Sequence, residues 1–256
     1  YSLGEIQLPV PIELKISGPI VFQDLKWRLG QSQWFVGARQ IYASMETSVV
    51  RGNAPEVQIP PEAEGIADSV LNRTIINSGL GALLVYDSRN NPFNPEVGAL
   101  FHTHYVRFSD ALGSDVNYGS YQIKGLNYWR LPQNFGFNLR LQYDGIDAPL
   151  DERLPVYIPP FINLRGIPAM RYQGRAVAVM EVEGTWTLRQ RWKFSLFSGV
   201  GRAAESFSAL SDASNENTVG VGFRYLLARR YGVAMGIDVA RGPEDTAFYI
   251  QAGPAW

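Results

Sequence analysis

The chain contains no cysteine, which excludes disulfides, thiolate metal sites and a cysteine nucleophile, and suits a polypeptide that crosses an oxidising compartment unfolded. Charge of a dominant sign is also missing. With 23 basic and 24 acidic residues the formal net charge is -1, so no chain-wide cationic field exists to gather nucleic acid, which is not expected as a partner. No apolar run approaches the ~20 residues of a membrane-spanning helix; Gly81 to Tyr86 is a typical apolar stretch. His102 and His104 share one strand face but have no third ligand at a persuasive position, so no metal site is expected. Glu181 and Glu183 could be read as paired acids for glycoside hydrolysis, yet same-face glutamates more often serve ion pairing. No Gly-x-Ser-x-Gly elbow occurs. The expectation is a protein without catalytic residues or cofactor.

What is present is aromatic residues, glycine and alternation. In Phe135 to Asp144, apolar Phe135, Phe137, Leu139, Leu141 and Tyr143 alternate with Gly136, Asn138, Arg140, Gln142 and Asp144, a period-two strand with one polar face. The pattern returns at Thr218 to Leu227 and Tyr231 to Ala240. A soluble sandwich and a membrane barrel share this alternation with opposite faces inward. Length and number favour the barrel: about twelve segments come near the ~9–11 residues that a tilted transmembrane strand needs.

These segments run Ile6 to Ile16, Ile20 to Gly30, Trp34 to Val49, Thr74 to Asp87, Val97 to Ser109, Gly119 to Arg130 and Phe135 to Ile146. A long loop follows, then Gln173 to Leu188, Lys193 to Ala204, Thr218 to Ala228, Gly232 to Arg241 and Ala247 to Trp256. Turns such as Arg130 to Asn134 are brief, whereas Asp147 to Tyr172 is long and proline-rich, the asymmetry of outer-membrane barrels. Trp27, Trp34, Trp129, Trp186 and Trp192 suit an interfacial belt. The expected fold is therefore all-β: one antiparallel transmembrane barrel over residues 1–256 with about twelve strands, ten, fourteen or sixteen being the alternatives. Residues 1–18 stay open between first strand, tail and plug.

Two stretches go beyond composition. Tyr86-Asp-Ser-Arg-Asn-Asn-Pro-Phe-Asn-Pro-Glu-Val-Gly98 resembles, at Asp87, Arg89, Asn91, Pro92, Pro95 and Gly98, a hairpin motif of the BamA/TamA superfamily, also called the outer membrane protein 85 superfamily or bacterial surface antigen type. Leu164-Arg165-Gly166-Ile167 is similar to the Arg-Gly motif of that family's long extracellular loop. The resemblance covers roughly Gly79 to Trp256 and implies a short member without periplasmic receptor (POTRA) domains. It also implies that the loop folds into the lumen, with Arg165 meeting Glu183 or Glu181 on a strand wall. Gly199 stands where the family usually has an aspartate, so one usual anchor of the loop is missing.

Pro9, Pro11 and Pro254, with Trp256 beside the last of them, lie in the first and last strand-like segments. Proline cannot donate a ladder bond, so a seam closed by these segments would be weak; the alternative places Ile6 to Pro11 outside the barrel. The resemblance implies a bacterial outer-membrane location and help with protein insertion or translocation. The bilayer, unfolded outer-membrane proteins, a separate periplasmic subunit and a second copy of the chain are the partners to consider. A passive pore, a lipid-handling barrel and a structural membrane protein are the competing expectations.

Overall fold

The computed structural model describes residues 2–3, 6–7, 14–49, 73–149, 154–189, 191–228, 232–254 and 256. Ser2–Leu3 (β1) and Ile6–Gln7 (β2) pair only with each other. Twelve strands then form one antiparallel sheet: β3 (Leu14–Ser17), β4 (Ile20–Arg28), β5 (Trp34–Val49), β6 (Arg73–Asp87), β7 (Gly98–Phe108), β8 (Tyr118–Arg130), β9 (Phe135–Asp147), β10 (Ala176–Leu188), β11 (Trp192–Ala204), β12 (Glu216–Ala228), β13 (Val233–Arg241) and β14 (Thr246–Ala252). Each strand from β5 to β14 pairs with its sequence neighbours. From β4 to β14 the alternating segments thus become strands of 7 to 16 residues.

The first segment differs from expectation. Ile6–Gln7 belongs to the small β1–β2 pair, Pro9 and Pro11 lie outside the described residues, and the first described strand of the large sheet starts at Leu14. Both β3 and β4 pair with β5 in one unbroken register: Leu14 faces Val49, Ser17 faces Glu46, Ile20 faces Ala43 and Arg28 faces Phe35. They are two halves of one row, interrupted at Gly18 and Pro19, where proline has no N–H to donate. The twelve strands therefore occupy eleven rows. The last segment is shorter than expected. β14 ends at Ala252, and Gly253, with φ 90°, turns the chain away, so Pro254 and Trp256 lie beyond the ladder.

One face of each row points to a common interior, and on β9 that face is polar. Asn138, Arg140, Gln142 and Asp144 of β9 lie opposite Glu183, Glu181, Val179 and Val177 of β10; Glu181 in turn faces Gly199 of β11, which faces Thr218 of β12. The other parity carries Phe137, Leu139 and Leu141 of β9 and Val219, Val221 and Phe223 of β12. In a barrel crossing a bilayer, this apolar parity is the lipid face. The sheet curls on itself: the β12–β13 turn at Gly232 lies against Asn91 of the β6–β7 loop, and Trp256 after β14 reaches Tyr128 on β8.

The short turns after β4, β8, β10 and β12 gather at one end, together with the longer β6–β7 turn, and the long β9–β10 loop lies at the other, beside the brief β13–β14 turn. Trp34, Trp129, Trp186 and Trp192 lie on the outward parity beside the short turns, where they contact Tyr86, Phe137, Phe135, Phe194 and Phe223. Such an outward aromatic girdle is where an indole, half apolar and half polar, is best solvated at a membrane interface. At the long-loop end, inward Val106, Phe108, Tyr118 and Ile146 join Val116 in a buried cluster, against which Leu154 and Ile158 of the long loop pack.

Candidate functional site

The turn between β6 and β7 explains its own composition. Arg89 donates through Nε and Nη2 to both oxygens of Asp87, each at 2.9 Å. The Asn91 side chain accepts from the backbone N–H of Phe93 and Asn94, at 2.7 and 3.3 Å, an Asx turn around Pro92. Asn90 does the same for Glu96 and Val97 just after Pro95. Gly98 has φ 109°, and a Cβ there would sit 2.3 Å from the Ser88 carbonyl oxygen, so only glycine can open β7. Lys193 on β11 donates to Asn94 at 2.6 Å, which fastens this turn across the short-turn mouth of the barrel.

The loop between β9 and β10 enters the lumen from the long-loop end. Ile162, Leu164 and Ile167 pack against Val177 and Val179 of the β10 wall and are buried. The neighbouring strand of the same wall, β11, makes room through glycine: a Cβ on Gly199 would lie 2.7 Å from Leu164, and one on Gly201 would lie 2.4 Å from Ile162. Gly166 has φ 96° and donates its N–H to the Tyr249 hydroxyl at 2.8 Å. Its carbonyl oxygen would lie 2.0 Å from a Cβ on Gly242, so two glycines let loop and β13–β14 hairpin touch backbone to backbone.

Arg165 sits at the centre of this arrangement. Its Nε donates to Glu181 at 2.8 Å, and its Nη1 donates to Glu183 at 2.9 Å and Asp238 at 3.1 Å. The guanidinium carbon lies 3.4 Å from the centroid of the Phe197 ring, within cation–π range. Arg224 grips Asp238 with two hydrogen bonds of 2.6 and 2.8 Å, and Arg140 reaches Glu181 at 3.5 Å. Three guanidiniums thus face three carboxylates, Glu181, Glu183 and Asp238, all buried. Buried charges persist only when matched in this way, because removal of one partner strands the others out of water.

Among the sequence candidates, Arg165, Glu181 and Glu183 are brought together, with Leu164 and Ile167 as apolar wedges and Gly166 as the hinge contact. Gly199 does not supply the aspartate of the related motif; Asp238, on the inward parity of β13, is the third carboxylate, and Gly199 instead holds space for Leu164. Asp238 is a lone acid on the small-residue face of β13, between Gly236 and Ala240, and that was the signal in the sequence that could have found it. Trp256 is placed inside the lumen, where its Nε1 donates to Glu181 at 2.5 Å, and not in a seam. His102 and His104 accept or share protons with Arg39, which is bidentate to Asp24 at 2.7 and 2.8 Å; they belong to an ion-pair cluster, and no metal-binding group of three occurs among the described residues.

A curled antiparallel sheet with an apolar outer face, a polar lumen and a loop held inside by buried ion pairs defines an outer-membrane-type β-barrel. The comparisons agree at that level. BamA from Haemophilus ducreyi lacking POTRA domains 1–3 has the same fold, with a TM-score of 0.62 at 12% identity over 94% of this chain and 53% of that one. LPS-assembly protein LptD of Sodalis glossinidius (strain morsitans) is 27% identical over 149 residues, 49% of this chain and 19% of LptD. The chain spans about half the length of the solved BamA and a fifth of LptD. No family model matches.

Proposed function

We propose that this barrel resides in the bacterial outer membrane and assists the insertion or translocation of other proteins there, without covalent chemistry and without a cofactor. The observation that carries the reading is the contrast between a locked lumen and two sheet borders, β4 and β14, that pair with no further strand among the described residues. Among the described residues no backbone pair joins β14 to β4. All nine residues of β4 are exposed, as are Phe248 and Ile250 on β14, at 75% and 84%. An unpaired edge with apolar side chains is a template for another strand. The partners of this reading are the bilayer and unfolded outer-membrane proteins, with a periplasmic subunit and further copies of the chain as additional ones.

The test is the folding rate of an unrelated outer-membrane protein into liposomes, with and without the purified barrel, comparing wild type, Arg165→Ala and Arg165→Lys. Acceleration by wild type that Arg165→Ala weakens supports the reading. Absence of acceleration, together with ion conductance that changes in Arg165→Ala, replaces it with a passive conduit. The lysine variant keeps the charge and separates loss of the latch from loss of the fold.

A further inference from the structure

We propose that the lumen holds a binding site for a phosphate monoester on a sugar-sized group, independent of any role in protein insertion. Between the β8–β9 wall, the inserted loop and β14 lies a cavity of about 420 Å³, within the ~300–1,000 Å³ of small-ligand sites. Its cations are Lys124, Arg140 and Arg165, and none of its described lining residues is an aspartate or glutamate.

That sign bias is built by covering every nearby acid. Both oxygens of Asp144 accept amide protons, from Gln122 and Gln142, at 2.6 Å each. Glu181 is fully buried behind Arg165, Arg140 and Trp256. Lys124 is different: among the described residues it has no hydrogen-bond acceptor and no ion-pair partner, although Gln122 and Gln142 beside it are both engaged. An uncommitted ammonium on a cavity with no described carboxylate lining it favours an anion over a neutral solute.

The remaining lining narrows the anion. Gln251 and Asn163 offer amides, and Tyr249 and Trp256 offer aromatic surface, the combination that suits a hydroxylated ring attached to the charged group. A dianionic phosphate meets Lys124 and Arg140 together, which a single carboxylate does less well. The source of such a group is either a soluble sugar phosphate or the phosphorylated sugar headgroup of a lipid.

The experiment is calorimetric titration of the folded, detergent-solubilised barrel with glucose 1-phosphate, with glucose as the uncharged control, on wild type, Lys124→Gln and Lys124→Arg. Saturable binding of the ester and not of glucose is expected, weakened roughly tenfold or more by Lys124→Gln and largely kept by Lys124→Arg. Because no described side-chain hydrogen bond or ion pair of the fold uses Lys124, both variants should keep the wild-type heat-modifiable gel shift. Repeating the titration in nanodiscs containing a phosphorylated glycolipid separates the sources: competition assigns the site to the headgroup, and undiminished binding assigns it to the soluble ester. Absence of saturable binding to wild type, or equal binding by Lys124→Gln, overturns the proposal.

Discussion

Phe22 and Phe197 are both phenylalanines on the inward parity of a strand, yet one is 65% exposed and the other 1%. Phe197 on β11 has the Arg165 guanidinium over its ring and a glycine, Gly220, beneath it, where a Cβ would lie 2.3 Å away. Among the described residues, Phe22 on β4 has one paired strand, β5, and no loop packed in front of it. Alternation alone therefore assigns a face; burial comes only where loop, wall and glycine close on the side chain together. The same holds for charge: Arg165 meets three buried acids, whereas the Arg39–Asp24 pair at the β4 edge is partly open to solvent.

The widest gap is expected between Phe197→Ala and Phe22→Ala. The first should cost about 3–5 kcal/mol, as for other buried aromatics, and the second should stay within about 0.5 kcal/mol; urea unfolding in detergent measures both, and equal losses would erase the distinction. A smaller effect is expected from Gly199→Ala, which forces a methyl onto Leu164 and should destabilise by about 1–3 kcal/mol. Gly125→Ala, where an added Cβ meets nothing within 4 Å, is its control on the wall. The smallest effect lies at the rim. Arg171 and Tyr172 donate to Glu244 and hold its carboxyl below its ordinary 4.5. A carboxyl depressed in the folded state stabilises above its unfolded value and loses that contribution as pH falls through the folded one. Contact between the inserted loop and the β13–β14 hairpin should thus survive pH 4.5 and loosen in stronger acid, read as faster amide exchange around Arg171; Glu244→Gln should abolish that pH dependence.

Much of the wall was legible in the chain because strand alternation is local. The segments Phe135 to Asp144, Thr218 to Leu227 and Tyr231 to Ala240 each declare which residues face inward, and the shared parity of Glu181 and Glu183 placed them together beside Arg165. What was not legible depends on contacts between distant residues. Asp238 lies 73 positions from Arg165, and no local pattern says that it replaces an acid at Gly199. Trp256 likewise reads as a strand-ending aromatic until Gly253 turns it inward. At the other end, the length of Ile6 to Ile16 suggested one strand, but Gly18 and Pro19 interrupt the ladder and make β3 and β4 share a row.

That shared row fixes a polarity. With eleven rows among the described residues, β4 and β14 both run from the long-loop end to the short-turn end, so the two borders of the described sheet are codirectional. They cannot be zipped to one another by antiparallel hydrogen bonds, and neither can those of two copies that cross a bilayer in the same orientation, since rotation about the membrane normal leaves strand direction unchanged. A strand that bonds antiparallel to both borders must climb from the short-turn end to the long-loop end, the direction taken by β5, β7, β9, β11 and β13. The parity of the rows thus acts as a one-way filter on whatever polypeptide completes the ring.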